Sequence, residues 1–185
     1  MGDPSDEDLM RRVAAGDERA FALLAPRHAA RAIGLARRLT GNSADAEEIV
    51  QEALLGVWIN APRWRAQAQF RTWFYRIVVN LCLNRRRRAP FSPLTEAGDP
   101  PDPSLDPAAR LERDETDRQV AAAVANLPAR QRLVIMLTYE EGLSNADAAA
   151  VLDSSVSGVE ALLVRAKRGL REKLRSVLDG NDGGE

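Results

Sequence analysis

A proline-rich stretch limits what this chain can fold into more than any other feature of its sequence. Residues 89–109 read APFSPLTEAGDPPDPSLDPAA and hold six of the ten prolines in the 185-residue chain. Proline has no backbone N–H and its ring clashes with the preceding helical turn, so a helix cannot continue through such a stretch. The stretch has few core-forming residues, and residues 89–116 carry seven acidic against two basic side chains. The sequence therefore predicts a flexible, acidic linker at 89–110 between two folded parts.

The part before the linker, residues 1–88, has the periodicity of helices. Apolar side chains recur there at steps of three and four residues, as they do on the buried face of an amphipathic helix. Capping residues and Gly or Pro mark where the segments start and stop. The pattern predicts helices over about 5–15, 18–39, 43–60 and 70–88, with a kink expected at Pro26. Helices of this number and length suffice for a compact helical domain.

The part after the linker, residues 111–185, also predicts helices. Ser144 can cap a short helix to about Leu152, residues 153–155 form a tight turn, and a long helix then runs to about Leu178. A short helix, a short turn and a longer helix make a helix-turn-helix. The predicted fold class is therefore all-α, with two small helical domains joined by the Pro-rich linker and a helix-turn-helix in the second.

The long helix of the helix-turn-helix has polar and basic side chains in an order suited to DNA. Short polar residues at its front could approach base edges in the major groove, and arginines behind them could bind phosphates. The alternative is an amphipathic hairpin with a solvated basic face. The residues expected to face DNA are Ser155, Ser157, Glu160, Ala161, Arg165, Lys167 and Arg168.

A second basic surface is expected at the end of the first domain. Trp73 and Phe74 belong to the apolar stripe of the helix 70–88 and are assigned to the core, whereas the opposite face is polar and ends in four arginines. With the loop 63–69 it forms a basic rim beside an exposed aromatic residue, and proteins hold unpaired bases in this way. A solvated helix end that complements the macrodipole is the alternative. The candidate residues are Arg63, Trp64, Arg65, Arg71, Arg76, Asn80, Asn84, Arg85 and Arg86.

The helix 43–60 carries a surface of the opposite charge. Its segment DAEEIVQEALLGVW, residues 45–58, places Asp45, Glu48, Gln51 and Glu52 on one face. These carboxylates would repel DNA, so a protein partner with basic side chains is the better interpretation. A solvated helix face is the alternative.

Residues with catalytic or metal-binding chemistry are not clustered in the sequence. The single histidine, His28, has no companion for a metal site or a triad and is assigned to the surface, and the single cysteine, Cys82, to the interior. We therefore expect no enzyme activity, no metal and no cofactor. The N-terminus MGDPSDEDL lacks the apolar core of a signal peptide, and no apolar run is as long as a membrane span. The expected location is the cytoplasm, without membrane insertion.

Three segments in this order resemble the extracytoplasmic-function group of the sigma-70 family. They are DAEEIVQEALLGVW, then FRTWFYRIVVNLCLNRRRR, then, after the Pro-rich linker, LPARQRLVIMLTYEEGLSNADAAAVLDSSVSGVEALLVRAKRGLREKL. The resemblance covers roughly residues 7–178. It implies a sigma factor that directs core RNA polymerase to specific promoters, with sigma region 2 in residues 1–88 and sigma region 4 in residues 111–185.

The resemblance also implies a role for each surface. The acidic face would dock on the clamp helices of the polymerase beta-prime subunit through Asp45, Glu48, Gln51, Glu52 and Leu55, and the beta flap is a further expected contact. The loop 63–69 and helix 70–88 would read the minus-ten promoter element once it is melted, with Asn80 at the Asn of the family's R-I-x-x-N-L pattern. The helix-turn-helix would read the minus-thirty-five element as duplex. An anti-sigma factor and a role in a stress response are expected.

Some residues depart from the family's pattern. Asp153 stands in the turn where the family often has Gly, and Glu160 and Leu162 stand where it often has basic or small residues. Glu160 could accept from a cytosine amino group, so the promoter preference cannot be transferred from relatives. The alternatives are a sigma mimic that sequesters an anti-sigma factor and a helix-turn-helix transcriptional regulator. A mimic has no need of the two basic clusters, and a regulator has no need of the acidic docking face.

Overall fold

A computed structural model of the protein describes residues 3–65, 69–88 and 118–181, and these residues form helices and connecting turns without a strand. The all-α fold class predicted from the sequence is therefore confirmed. The expected linker 89–110 lies outside the described residues, as do residues 66–68 of the expected base-binding loop.

The helices of the first region start and stop close to the predicted positions. Ser5, Asp17 and Asn42 each accept a hydrogen bond from a backbone N–H in the first turn of the helix that they precede. Pro26 lies inside the second helix, which continues through it with buried residues on both sides. The elements are α1 (Asp6–Ala14), α2 (Glu18–Thr40), α3 (Ser43–Asn60), a 3-10 turn (Ala61–Arg63) and α4 (Phe70–Arg88).

The second region contains the predicted helix-turn-helix and one irregularity. The helix that starts after Pro128 changes at Met136 into a π-helical stretch, which the apolar pattern did not predict, and the chain leaves it near Gly142, where φ is +64°. Ser144 caps the next helix as expected. The elements are α5 (118–125), α6 (Ala129–Ile135), the π-helix (Met136–Glu140), α7 (Asn145–Val151) and α8 (Val156–Asn181).

The two helical regions pack against each other. Their buried apolar side chains form one continuous cluster, and α4 contacts α7, the first helix of the helix-turn-helix. Phe74 and Cys82 of α4 are fully buried, as predicted, and Trp73 is partly buried against the core. The sequence predicted two domains on either side of a linker but did not predict that they would be in contact.

Candidate functional site

The helix-turn-helix is built by residues that allow a tight turn. Asp153 has a φ of +49°, in the left-handed region that Asp tolerates better than most residues. Ser155 accepts a hydrogen bond from the Gly158 N–H at 3.1 Å and so caps α8. A Cβ on Gly158 would lie 2.8 Å from the Ser154 hydroxyl and 3.2 Å from that of Ser155, so a larger residue there would displace these hydroxyls. Sequence reasoning missed Gly158, because its closeness to the two hydroxyls arises from how the turn folds back.

The face of α8 that was predicted to meet DNA is open to solvent. Val159, Leu163 and Ala166 are buried and fix which side of the helix faces outward. Lys167 lies 5.2 Å from the centre of the Tyr139 ring, and Arg168 forms an ion pair with Glu172 at 3.0 Å. All seven candidates are exposed: Ser155, Ser157, Glu160, Ala161, Arg165, Lys167 and Arg168.

The basic face of α4 is only partly open. Arg76, Asn80 and Asn84 are exposed, whereas Arg71 is half-buried, with its guanidinium 5.6 Å from the centre of the Tyr75 ring. Arg76 lies 3.7 Å from Asp153 in the turn of the helix-turn-helix. Asn80 lines a cavity of about 90 Å³ between α4 and helices α6 and α7. The structure thus brings candidate base-reading residues to the junction of the two regions.

The loop in front of α4 differs from expectation at its aromatic residue. Arg63 and Arg65 are exposed as predicted, and Arg65 donates to the carbonyl of Trp64 at 3.1 Å. Trp64 was expected to be exposed, but it is half-buried and packs against the core. Trp64 is buried to this extent because removing much of the apolar indole surface from water lowers the free energy of the folded protein.

Arg85 connects two surfaces that the sequence treated separately. Its guanidinium lies 3.2 Å from the Asp45 carboxylate and 2.6 Å from that of Glu48, both on α3. The hydrogen bond that Arg85 donates to the Glu48 carboxylate raises the pKa of Arg85 above its ordinary value. The predicted phosphate contact of Arg85 therefore competes, in this arrangement, with two carboxylates predicted to bind a protein. The side chain of the next candidate, Arg86, lies outside the described part of the structure.

The acidic face of α3 is half-buried at Asp45 and exposed from Glu48 onward. Gln51 and Glu52 are open to solvent, and the Leu55 side chain among them is 57% exposed. Ile59, one turn beyond Leu55, is 64% exposed and extends the same face. Sequence reasoning missed Ile59, although its spacing of four residues from Leu55 gave the signal. An acidic face with exposed aliphatic residues is suited to a protein partner rather than to DNA.

Polar contacts between helix α4 and the second region join the two regions. Tyr75 donates a hydrogen bond to Glu141, whose side chain is 3% exposed. Burial, followed by the contact with Glu141, raises the pKa of the Tyr75 hydroxyl. Arg38 of α2 lies 2.8 Å from Glu140 and 3.4 Å from Glu141, and Thr72 donates to Asp147 at 2.8 Å. A buried carboxylate that is held by a hydroxyl and a guanidinium fixes how the regions meet.

The assignment of His28 to the surface was wrong. His28 is buried, its Nε2 lies 2.6 Å from a carboxylate oxygen of Asp6, and its ring meets that of Phe70 edge-on at 5.1 Å. The partner is on α1, 22 residues earlier, so the neighbouring sequence gave no sign of the pair.

Groups that would indicate a metal or a membrane are not found in the described part of the chain. Within residues 3–65, 69–88 and 118–181, no three His, Cys, Asp or Glu side chains come together as metal ligands could. Among these same residues, no helix has both the length and the apolar composition needed to cross a bilayer.

Comparison with known proteins gives matches over nearly the whole chain. The family model described as Sigma-70 region 2 matches residues 24–90, and the one described as Sigma-70, region 4 matches residues 117–170. The chain is 31% identical to the RNA polymerase sigma-H factor of Pseudomonas aeruginosa, over 94% of this chain and 95% of the relative. It is 35% identical to the ECF RNA polymerase sigma factor SigM of Mycobacterium tuberculosis, over 92% of this chain and 85% of the relative.

A solved structure shares the arrangement of helices. It is the structure of CnrH in complex with the cytosolic domain of CnrY, and this chain is 29% identical to CnrH. The match covers 94% of this chain and 99% of CnrH, with a TM-score of 0.71.

Proposed function

The chain belongs to the extracytoplasmic-function group of the sigma-70 family, and on that premise we propose how its surfaces divide the work of directing core RNA polymerase to promoters. The proposal assigns region 2 to residues 1–88, the linker to 89–110 and region 4 to 111–185. The observation that supports it most is the exposed face of α8, where polar side chains come first and basic side chains follow.

The α8 face would read the minus-thirty-five element as duplex. The front of the helix presents Ser155, Ser157 and Glu160, which are of a size to reach base edges in the major groove. Arg165 and Arg168 follow about one and two turns after Glu160 and would bind phosphates. Glu160 favours contact with a donor such as the cytosine amino group, since a carboxylate can only accept.

The α3 face would dock on the clamp helices of the beta-prime subunit. Its carboxylates would pair with basic side chains, and the exposed Leu55 and Ile59 would be buried in the interface. The residues assigned to this contact are Asp45, Glu48, Gln51, Glu52 and Leu55, now with Ile59. Region 4 would make the second contact with the polymerase, at the beta flap.

The α4 face would read the minus-ten element after the duplex has opened. Extraction of a base from the stack costs a few kcal/mol, so the element must be captured by a surface that compensates this cost. Asn80 and Arg76 now lie next to α6, α7 and the turn at Asp153. These side chains are exposed at the edge of the junction, so we infer that movement of α7 away from α4, accompanied by polymerase binding, widens their access to DNA.

A partner protein would hold the closed arrangement when the factor is not needed. The supporting observation is the likeness to CnrH, whose solved structure contains the cytosolic domain of CnrY. We propose an anti-sigma factor that contacts both regions and is released under stress. The site of action would be the cytoplasm, where bacterial transcription takes place, and no catalytic role is proposed for the chain itself.

Run-off transcription tests the proposed function directly. Purified core polymerase, with and without the full chain, is given a genomic promoter library, and the transcripts are sequenced. Specific start sites that depend on the chain are expected, with two shared elements upstream. If the chain binds core polymerase without producing specific starts, the proposed function is wrong; if it binds an anti-sigma factor and not the polymerase, the sigma-mimic alternative is correct.

A further inference from the structure

Helix α4 begins at a contact that its own sequence does not supply. The first backbone N–H groups of a helix have no acceptor within the helix and need one from elsewhere. Gln69, which precedes α4, is not among the residue types that commonly cap a helix. Instead, the side-chain oxygen Oε1 of Glu7 accepts a hydrogen bond from the Phe70 N–H at 3.1 Å. Glu7 lies on α1, 63 residues earlier in the chain.

We propose that Glu7 is a positioning residue for promoter reading, and that α1 holds the first turn of α4 so that α4 presents its base-reading side chains in one orientation. This inference rests on the proposed function of α4. Glu7 does not touch DNA in this proposal: it acts through the Phe70 backbone. A carboxylate is well suited to the task, because the N-terminus of a helix carries partial positive charge.

A second contact from the neighbouring residue supports the same role. Asp6 lies 2.6 Å from the His28 Nε2, and the His28 ring packs edge-on against Phe70 at 5.1 Å. Phe70 itself is 1% exposed and stacks on Phe74, with ring centroids 5.8 Å apart and planes at 10°. Consecutive residues of α1 thus hold Phe70 by its backbone and, through His28, by its ring.

Helix α1 also reaches the other side of the loop. It packs against the 3-10 turn Ala61–Arg63, which leads into Arg65, while Glu7 holds the start of α4. The two flanks of the candidate base-binding loop are therefore fixed by the same helix. Helix α4 is continuous from Phe70 to Arg88. Because the side chains keep a fixed angular spacing along a helix, a small rotation of the first turn also turns the later side chains, including Asn80. Recognition sites need their groups held within about 0.5 Å.

The test measures base discrimination, which a purely stabilising contact would not change. Full-length chain and core polymerase are assembled on the promoter selected in the run-off experiment, with the minus-ten element held open by mismatches. Affinity is measured for this template and for templates with one substituted non-template base. The ratio of the two affinities reports how precisely α4 is placed, whereas loss of folded protein lowers both affinities together.

Four variants separate position from charge and from stability. Glu7→Ala removes the acceptor, and Glu7→Asp keeps the charge but shortens the side chain by one methylene. One good base contact provides a discrimination ratio of roughly fivefold to hundredfold. Both variants should lower the measured ratio by about threefold to tenfold. Glu7→Gln keeps an oxygen at the same reach and should retain most of the ratio. The matched control is Asp8→Ala, which removes a neighbouring carboxylate that pairs with Arg11 on the exposed side of α1. This variant should leave the discrimination ratio unchanged.

The outcomes are distinguishable from failure of the proposed function. If the wild-type holoenzyme does not discriminate between bases in the open element, the role assigned to α4 is wrong and the inference falls with it. If the wild type discriminates and Glu7→Asp has the same ratio, the positioning role is wrong, even where total transcription is reduced. An equal loss in Glu7→Gln and Glu7→Ala would also overturn it, because the acceptor would then not be the cause.

Discussion

The two faces proposed to read DNA differ in how the protein presents them. The face of α8 is open to solvent at every candidate residue, whereas the face of α4 lies against the second region, with Arg76 near Asp153 and Asn80 at a cavity. We therefore expect duplex recognition by α8 to need no rearrangement, whereas reading of melted DNA by α4 would be aided by separation of the two regions. Arg76 and Asn80 are themselves exposed, so the second region borders the α4 face without burying it.

Reversal of charge on α3 should have the largest effect, because without polymerase neither face is brought to a promoter. Glu48→Lys combined with Glu52→Lys should abolish co-elution with core polymerase while the helical circular dichroism is retained. Glu47→Lys combined with Glu18→Lys is the matched control, since both carboxylates are exposed and neither is assigned to the docking contact. Unchanged co-elution of the Glu48 and Glu52 variant would refute the docking face.

Asn80→Ala should separate the two faces most clearly. We expect a loss of about tenfold or more in permanganate reactivity of the minus-ten element in the holoenzyme, because a polar contact to a captured base is worth about 1–3 kcal/mol. Protection of the minus-thirty-five element should be unchanged, since Asn80 lies on α4. A matched loss at both elements would mean that the chain has a single DNA-binding surface.

The reverse pattern is expected when the α8 face is changed. Arg165→Ala combined with Arg168→Ala should weaken holoenzyme binding to duplex promoter and reduce its salt dependence by about one unit of slope for each phosphate that is no longer bound. Once the element is held open by mismatches, capture by α4 should be nearly normal. Arg168 is paired with Glu172, so its share of the effect should be smaller than that of Arg165. An unchanged salt slope would contradict phosphate binding by these residues.

The contact between α4 and the second region can be tested at the hydrogen bond that joins them. Tyr75→Phe removes a hydrogen bond to the buried Glu141 and should lower the free energy of unfolding by about 1–3 kcal/mol, because a buried carboxylate loses a donor. Tyr139→Phe is the control: Tyr139 is 60% exposed, and its change should stay within about 0.5 kcal/mol. Urea unfolding of the full chain measures both. Equal effects would show that the hydrogen bond does not hold the regions together.

The smallest effect is expected at Glu160. Glu160→Ala should relax base preference at one position of the minus-thirty-five element and slightly raise affinity for duplex, since it removes a negative charge near the phosphates. Binding to a duplex library at several salt concentrations checks both effects. A sharper preference in the variant would show that Glu160 opposes recognition rather than contributing to it.

Sequence reasoning succeeded where the cause lies within a few residues. The caps Ser5, Asp17, Asn42 and Ser144 were predictable because each acts on an amide two or three positions ahead, and the exposed face of α8 followed from helical spacing. The family resemblance added the roles that spacing alone left open.

What the sequence could not show depends on contacts across long separations. His28 was assigned to the surface, since its partner Asp6 is 22 residues away and gave no local sign of the pair. Trp64 was also assigned to the surface, since the core against which it packs is formed by residues distant in the sequence. Tyr75 and Glu141 are 66 residues apart, so neither carries a local sign of the other. Glu7 was missed for the same reason, although it caps the helix with the most assigned functions.

Glu141 also bears on how easily the closed arrangement can be undone. A carboxylate loses most of its hydration when it is buried between two regions, and it recovers that hydration in full when they part. Hydration of Glu141 would therefore offset part of the cost of opening the junction, whereas the apolar side chains that the two regions share would become exposed. We therefore expect the polar part of the junction, around Glu141, to separate at a lower free-energy cost than its apolar part.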